Sequence, residues 1–154
     1  MPIYNDQLQR EISILSKPQR IISLVPSLTE LLFDLGLEKK LVGITQFCVH
    51  PYHLKSTKTI VGGTKKVDIE IIKQLNPDFI LCAKEENTPE MVADLAQITT
   101  VFVADVNSIK ASLELIELLG KILYCQNEAE NLLQKIDFQL NNFNLSADLF
   151  ILLL

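Results

Sequence analysis

The chain has 154 residues, 48% of them hydrophobic, which suits one domain of ordinary size with a sizeable core. A net charge of −5, a sequence pI near 5.0 and the lack of a basic stripe speak against nucleic-acid binding. No uncharged apolar run reaches the roughly 18 residues that a bilayer span needs, and three widely spaced cysteines without CxxC pairs argue against a disulfide framework.

The N-terminus, Met-Pro-Ile-Tyr-Asn-Asp, has neither a basic start nor an apolar core. It does not read as a signal peptide, and the chain as written is expected in the cytoplasm. Residues 1–17 are expected to hold a short hairpin or edge strands between Ile3 and Ile14, closed by Pro18. Ile21 to Val25 is an unbroken apolar run, the pattern of a central strand covered on both faces. A helix is predicted from Ser27 to Leu35, with Ser27 and Glu30 as a capping box and Gly36 as its stop. Leu41 to Thr45 is a second strand, Phe47 to Lys58 a loop, and Ile60-Val61 a short extended piece ending in Gly62-Gly63.

Asp68 is placed to cap a helix from Ile69 to Leu75, which Asn76-Pro77-Asp78 breaks. Phe79 to Ala83 is the next buried strand, with Cys82 as a small core residue. Thr88-Pro89 opens a helix to about Gln97, and Thr99 to Ala104 is the last strand. Two longer helices follow. Ser108 to Tyr124 has Leu113, Ile116, Leu119-Gly120 and Leu123 on one side; Glu128 to Asn142 has Leu132, Leu133, Ile136 and Leu140. Leu149 to Leu154 is apolar and reads as the start of another unit. The alternation of strands and helices predicts an α/β fold, a Rossmann-like, mostly parallel sheet flanked by helices and followed by a long helix.

In open α/β sheets ligands bind outside the carboxyl ends of the strands. Pro26-Ser27-Leu28-Thr29-Glu30 follows such an end and either presents free helix N–H groups to a polar ligand or is only a cap. Gly62-Gly63 lacks the spacing of a phosphate loop; it marks a tight turn or a close approach of backbone. Lys84-Glu85-Glu86-Asn87 either lines a cleft or is a solvated loop. Cys48, His50 and His53 are potential soft-metal ligands, but no further Cys or His has a suitable spacing, which favours a surface loop and no metal site. Glu70 stands in the first turn of its helix, where it favours the dipole. No paired carboxylates or Ser–His–Asp pattern stand out, so no catalytic residue is assigned and no enzyme activity is expected.

Taken in order, the motifs resemble the N-terminal lobe of the BtuF-like, helical-backbone solute-binding proteins of ABC transporters, which bind cobalamin or iron complexes. The matching residues are Arg20-Ile-Ile-Ser-Leu-Val-Pro-Ser-Leu-Thr-Glu30, Val42-Gly-Ile-Thr45, Cys48 with Pro51, and Val61-Gly-Gly63. Asp68-Ile-Glu-Ile-Ile72, Leu75-Asn-Pro-Asp-Phe-Ile80 and Glu86-Asn87 complete the series. The resemblance covers roughly residues 18 to 143, and Asp6-Gln7-Leu8 in the hairpin is similar to the start of siderophore-type relatives.

The resemblance implies two α/β lobes joined by a rigid helix, with the ligand held between them and no cofactor of the protein's own. It implies that Pro26, Ser27, Leu28, Thr29, Phe47, Cys48, Gly62, Gly63, Glu85 and Glu86 face the ligand. Glu70 matches the carboxylate that docks the lobe on an ABC-transporter permease. Phe47 alone matches the aromatic positions of the corrin-binding members; Ala83 stands where another aromatic is expected. Residues 18–125 would be the ligand-binding lobe, 126–145 the connecting helix, and 146–154 the start of a missing or frame-disrupted second lobe. The implied location is the periplasm or cell envelope. The rival expectations are a stand-alone cytoplasmic α/β binding or regulatory module, and a small metal-dependent enzyme using Cys48, His50 and His53.

Overall fold

A computed structural model describes residues 2–142 of the chain; the expectations for 143–154 lie outside the described residues. The chain divides into two compact units, one ending at Asp105 and one beginning at Val106.

The first unit is built on five parallel strands: β3 (Ile21–Ser23), β4 (Leu41–Ile44), β5 (Thr59–Ile60), β6 (Phe79–Ala83) and β7 (Val101–Ala104). Their order is β5-β4-β3-β6-β7. The chain therefore winds outward from β3 in one direction, returns, and continues on the other side. The reversal falls between β3 and β6, paired in register from Ile21↔Phe79 to Ser23↔Leu81. That is the switch point where a crevice opens in doubly wound sheets.

Side chains alternate across the strands. Ile22, Leu24, Ile80, Cys82, Val101 and Val103 pack on one face with Ile72 of helix α3 (Ile69–Gln74) and Met91 and Leu95 of α4 (Pro89–Ala96). On the other face the Phe79 and Phe102 rings lie 6.3 Å apart, both fully buried. Helix α1 (Pro26–Asp34) packs against β3 and β4. Gly43 in β4 makes room on the α3 side of the sheet, because a Cβ there would lie 3.0 Å from both Leu75 and Val61.

The predicted N-caps Asp68 and Thr88 accept backbone N–H bonds from the first turns of α3 and α4. The capping box at Ser27 is corrected. Helix α1 starts one residue earlier, at Pro26, with Val25 as N-cap and no side-chain cap bond. Proline's fixed φ and missing N–H suit the first helical position. The loop from Phe47 to Lys58 also contains one helical turn, α2 (His53–Thr57), anchored by buried Leu54.

The N-terminal strands β1 (Ile3–Asn5) and β2 (Glu11–Ser13) pair antiparallel. Their connecting turn docks on the free edge of β7. Gln7 N donates to the Val103 carbonyl (3.2 Å) and Val103 N donates to Asp6 Oδ2 (3.1 Å). The edge strand is thereby blunted against pairing with another chain.

The second unit holds α5 (Ile109–Ile122), capped by Ser108, and α6 (Gln126–Asn142). Gly120 lets them meet: a Cβ there would lie 2.6 Å from that of Ala129. Leu132, Leu133, Ile136 and Leu140 of α6 are half-buried and Phe138 is exposed. No described helix is long and apolar enough to cross a membrane.

Candidate functional site

Four of the predicted site segments lie on loops leaving the carboxyl ends of β3, β4, β5 and β6, so the parallel sheet brings them to one edge. A cleft of about 880 Å³ opens there, lined by Gln46, Phe47 and the segment from Gly62 to Glu70. Phe47, which lines the cleft, is 53% exposed.

The turn beneath Phe47 depends on both glycines. Gly62 has φ +134° and a Cβ on it would lie 2.6 Å from the Lys66 carbonyl. It pairs with Val67, and Gly63 N donates to the Lys66 carbonyl at 2.8 Å. Gly63 lies under Phe47, whose Cε2 would be 3.2 Å from an added Cβ. Gly62 thus serves the tight turn and Gly63 the close approach, the two roles that sequence left open.

Of the residues after β3, Ser27 is exposed and Pro26 half-buried, whereas Leu28 and Thr29 are buried. The Thr29 hydroxyl lies 2.8 Å from Ser23 Oγ, 3.1 Å from the Val25 carbonyl and 3.1 Å from Cys48 Sγ. Cys48 is 1% exposed and also meets Thr45 Oγ1 at 3.3 Å. This buried cluster ties the β4 loop, and with it Phe47, to the start of α1.

A second buried side chain joins the other loops. Asn87 is 3% exposed. Its Oδ1 accepts from Ala83 N (2.9 Å), and its Nδ2 donates to the carbonyls of Leu24 (3.3 Å) and Thr64 (2.8 Å). It bridges the loops after β3, β5 and β6 across the switch point. Sequence reading placed Asn87 among four polar loop residues and in the Glu86-Asn87 pair of the family resemblance; neither showed a buried amide between loops, which has no local signature. Glu85 and Glu86 are exposed, and Lys65 Nζ donates to the Glu85 carbonyl at 3.1 Å.

Glu70 is exposed on α3 and pairs with Lys73 at 3.7 Å. The potential metal ligands do not converge. Cys48 is enclosed as described, the His50 ring contacts Tyr52 edge-on, and His53 pairs with Glu38 beside Phe33. Among the described residues no three His, Cys, Asp or Glu side chains gather as a metal-holding group. Burial pushes the Cys82 thiol up to about 12, an effect the Arg10 charge partly opposes. Cys82 is a core residue beneath the sheet edge and is held neutral.

The sequence profile described as periplasmic binding protein matches residues 21–143. The chain belongs to that family. An ABC transporter substrate-binding lipoprotein from Bacillus subtilis is 28% identical to this family member over 149 residues, 93% of the chain and 46% of the lipoprotein. A vitamin B12-binding protein from Vibrio cholerae is 35% identical over 89 residues, 56% of the chain and 32% of that protein. A periplasmic heme-binding protein from Pseudomonas aeruginosa superposes with a TM-score of 0.74 at 28% identity, over 80% of the chain and 45% of its own. The chain spans half or less of the length of these relatives. The α/β fold and the family expected from the sequence are both found.

Proposed function

We propose that this chain supplies a ligand-binding face of an ABC importer's solute-binding protein, and that its ligand is a corrinoid or a chelated iron complex such as heme. The observation that carries this is the cleft at the carboxyl edge, where the half-exposed Phe47 ring rests on Gly63. A flat ring on a fixed support suits stacking against a large planar ligand. The relatives named for vitamin B12 and heme support that ligand class.

In this reading Pro26, Ser27, Phe47, Gly62, Gly63, Glu85 and Glu86 form the contact surface. Leu28, Thr29 and Cys48 support it from below, consistent with their burial. Binding involves no covalent step, and the ligand is cargo rather than a cofactor. Glu70, exposed near the cleft, is assigned to permease docking, where a charge pair sets register more than affinity. We place the working protein in the periplasm or cell envelope, as the lipoprotein relative suggests.

The test is a titration with cyanocobalamin and, separately, hemin, followed through their visible absorption bands. Saturable shifts that weaken at least tenfold in Phe47→Ala are expected, about 1.4 kcal/mol. No Phe47-dependent shift with either probe would overturn the reading.

A further inference from the structure

The Phe47 ring rests on a turn that holds little of its own stability. Among the described residues, the segment from Gly62 to Lys66 is closed by the two backbone bonds of the Gly62–Val67 bridge, Gly63 N to the Lys66 carbonyl and Asp68 N to the Val61 carbonyl, both 2.8 Å. Three further ties join the turn to residues outside it, one of them from the exposed Lys65 Nζ to the Glu85 carbonyl at 3.1 Å. Gln46 N donates to the Gly62 carbonyl at 2.8 Å, and Asn87 Nδ2 donates to the Thr64 carbonyl at 2.8 Å. Asn87 is itself fixed, because its other bonds go to Ala83 N and the Leu24 carbonyl at the ends of two central strands.

We infer that Asn87 is a positioning residue for the ligand face: it sets the height and angle of the Gly62–Lys66 turn, and through Gly63 the orientation of Phe47. The amide is suited to this. Its oxygen accepts and its nitrogen donates twice, so one small side chain satisfies an N–H and two carbonyls from three loops. A hydroxyl has only one proton to give. A carboxylate would face the two carbonyls with no donor. Buried polar groups so fully engaged specify one geometry where an apolar residue would permit several.

This inference rests on the ligand reading above only for its affinity arm. The test is a double-mutant cycle of Asn87→Ala and Phe47→Ala, read by cyanocobalamin and hemin titration. If Asn87 acts through Phe47, Asn87→Ala weakens binding about tenfold when Phe47 is present and by less than about threefold when it is absent. Equal losses in both backgrounds would overturn the inference.

Amide hydrogen exchange supplies a second arm without ligand. In Asn87→Ala, or Asn87→Ser should alanine fail to fold, the Gly63 amide should exchange faster while those of Ile80 in β6 and Val103 in the edge strand β7 are unchanged. Acceleration spread evenly over all three, or none at Gly63, would overturn the positioning role. Failure of the wild-type chain to bind either probe would sink the ligand assignment and leave the exchange result to decide on Asn87.

Discussion

The N-terminal turn and the carboxyl-edge loops are both joined to the sheet by buried polar side chains, but the two junctions are built differently. Asp6 is 1% exposed and charged. Its Oδ1 accepts from Leu8 N and Arg10 N, and its Oδ2 from Arg10 Nη1 and Val103 N. One carboxylate therefore closes its own turn and clasps β7, with no alternative acceptor among the described groups for Val103 N. The carboxyl edge uses neutral groups. Thr29, Ser23, Cys48 and Thr45 share short contacts, so each retains a partner if one is lost. A buried charge gives a strong, brittle junction; a neutral cluster gives a weaker one that tolerates change. The brittle junction sits on a protected edge, and the tolerant one beneath the surface proposed to meet ligand.

The largest expected effect tests the brittle side. Asp6→Ala should lower unfolding free energy by about 3 kcal/mol in urea denaturation, because it leaves the Val103 N–H without its acceptor and frees Arg10. Asp6→Asn should lose less, since an oxygen remains for Leu8 N and Arg10 N. A loss below about 1 kcal/mol for alanine would mean that β1–β2 pairing and the Gln7 bonds to Val103 and Asp105 suffice to hold the turn.

Next comes a pH effect that links the hairpin to the core. The Cys82 thiol is raised to about 12 from an ordinary 9.0 by burial, with Arg10 opposing. A raised folded pKa means stability is intact below about 9 and is lost as pH climbs toward 12, since the unfolded thiol ionises first. The slope approaches 1.4 kcal/mol per pH unit, or about 2 kcal/mol by about pH 10.5. In Cys82→Ala the stability profile above about pH 9 should be flatter by this amount, whatever the variant's starting stability. Parallel profiles for both proteins would show that Cys82 does not contribute.

Much of this arrangement could be read along the chain, and the exceptions have a common cause. The apolar run Phe79–Ala83 coincides with β6, the caps Asp68 and Thr88 accept the expected N–H bonds, and the helix expected from Ser108 has that residue as its N-cap. These depend on residues a turn apart. The capping box at Ser27 failed locally, because Pro26 took the first helical position. Helix α2 went unseen because five residues show no period. What could not be read was long-range: Asp6 reaches Val103, 97 positions away, and Asn87 reaches Leu24, 63 away. Asp6 and Asn87 look like ordinary turn residues until the sheet order places strands beside them. The cleft follows the same rule. Gly62-Gly63 and Phe47 were each visible as special points, but the contact that rests the ring on Gly63 was not.

The smallest expected effect tests the tolerant side. Thr29→Val keeps the shape of the side chain and removes its oxygen. Ser23 Oγ can still donate to the Val25 carbonyl at 3.2 Å, and Cys48 Sγ keeps Thr45 Oγ1. No buried donor is orphaned, so the loss should be about 1 kcal/mol, read as a shift in urea midpoint at constant slope. Because the β4 loop loses one tie and not all, the Phe47-dependent probe binding should change by less than about threefold. A loss near that of Asp6→Ala would show that the cluster acts as one indivisible unit, and the contrast between the two junctions would fail. A change in slope would point instead to a loosened native state, with the β4 loop detaching from α1 before the sheet unfolds.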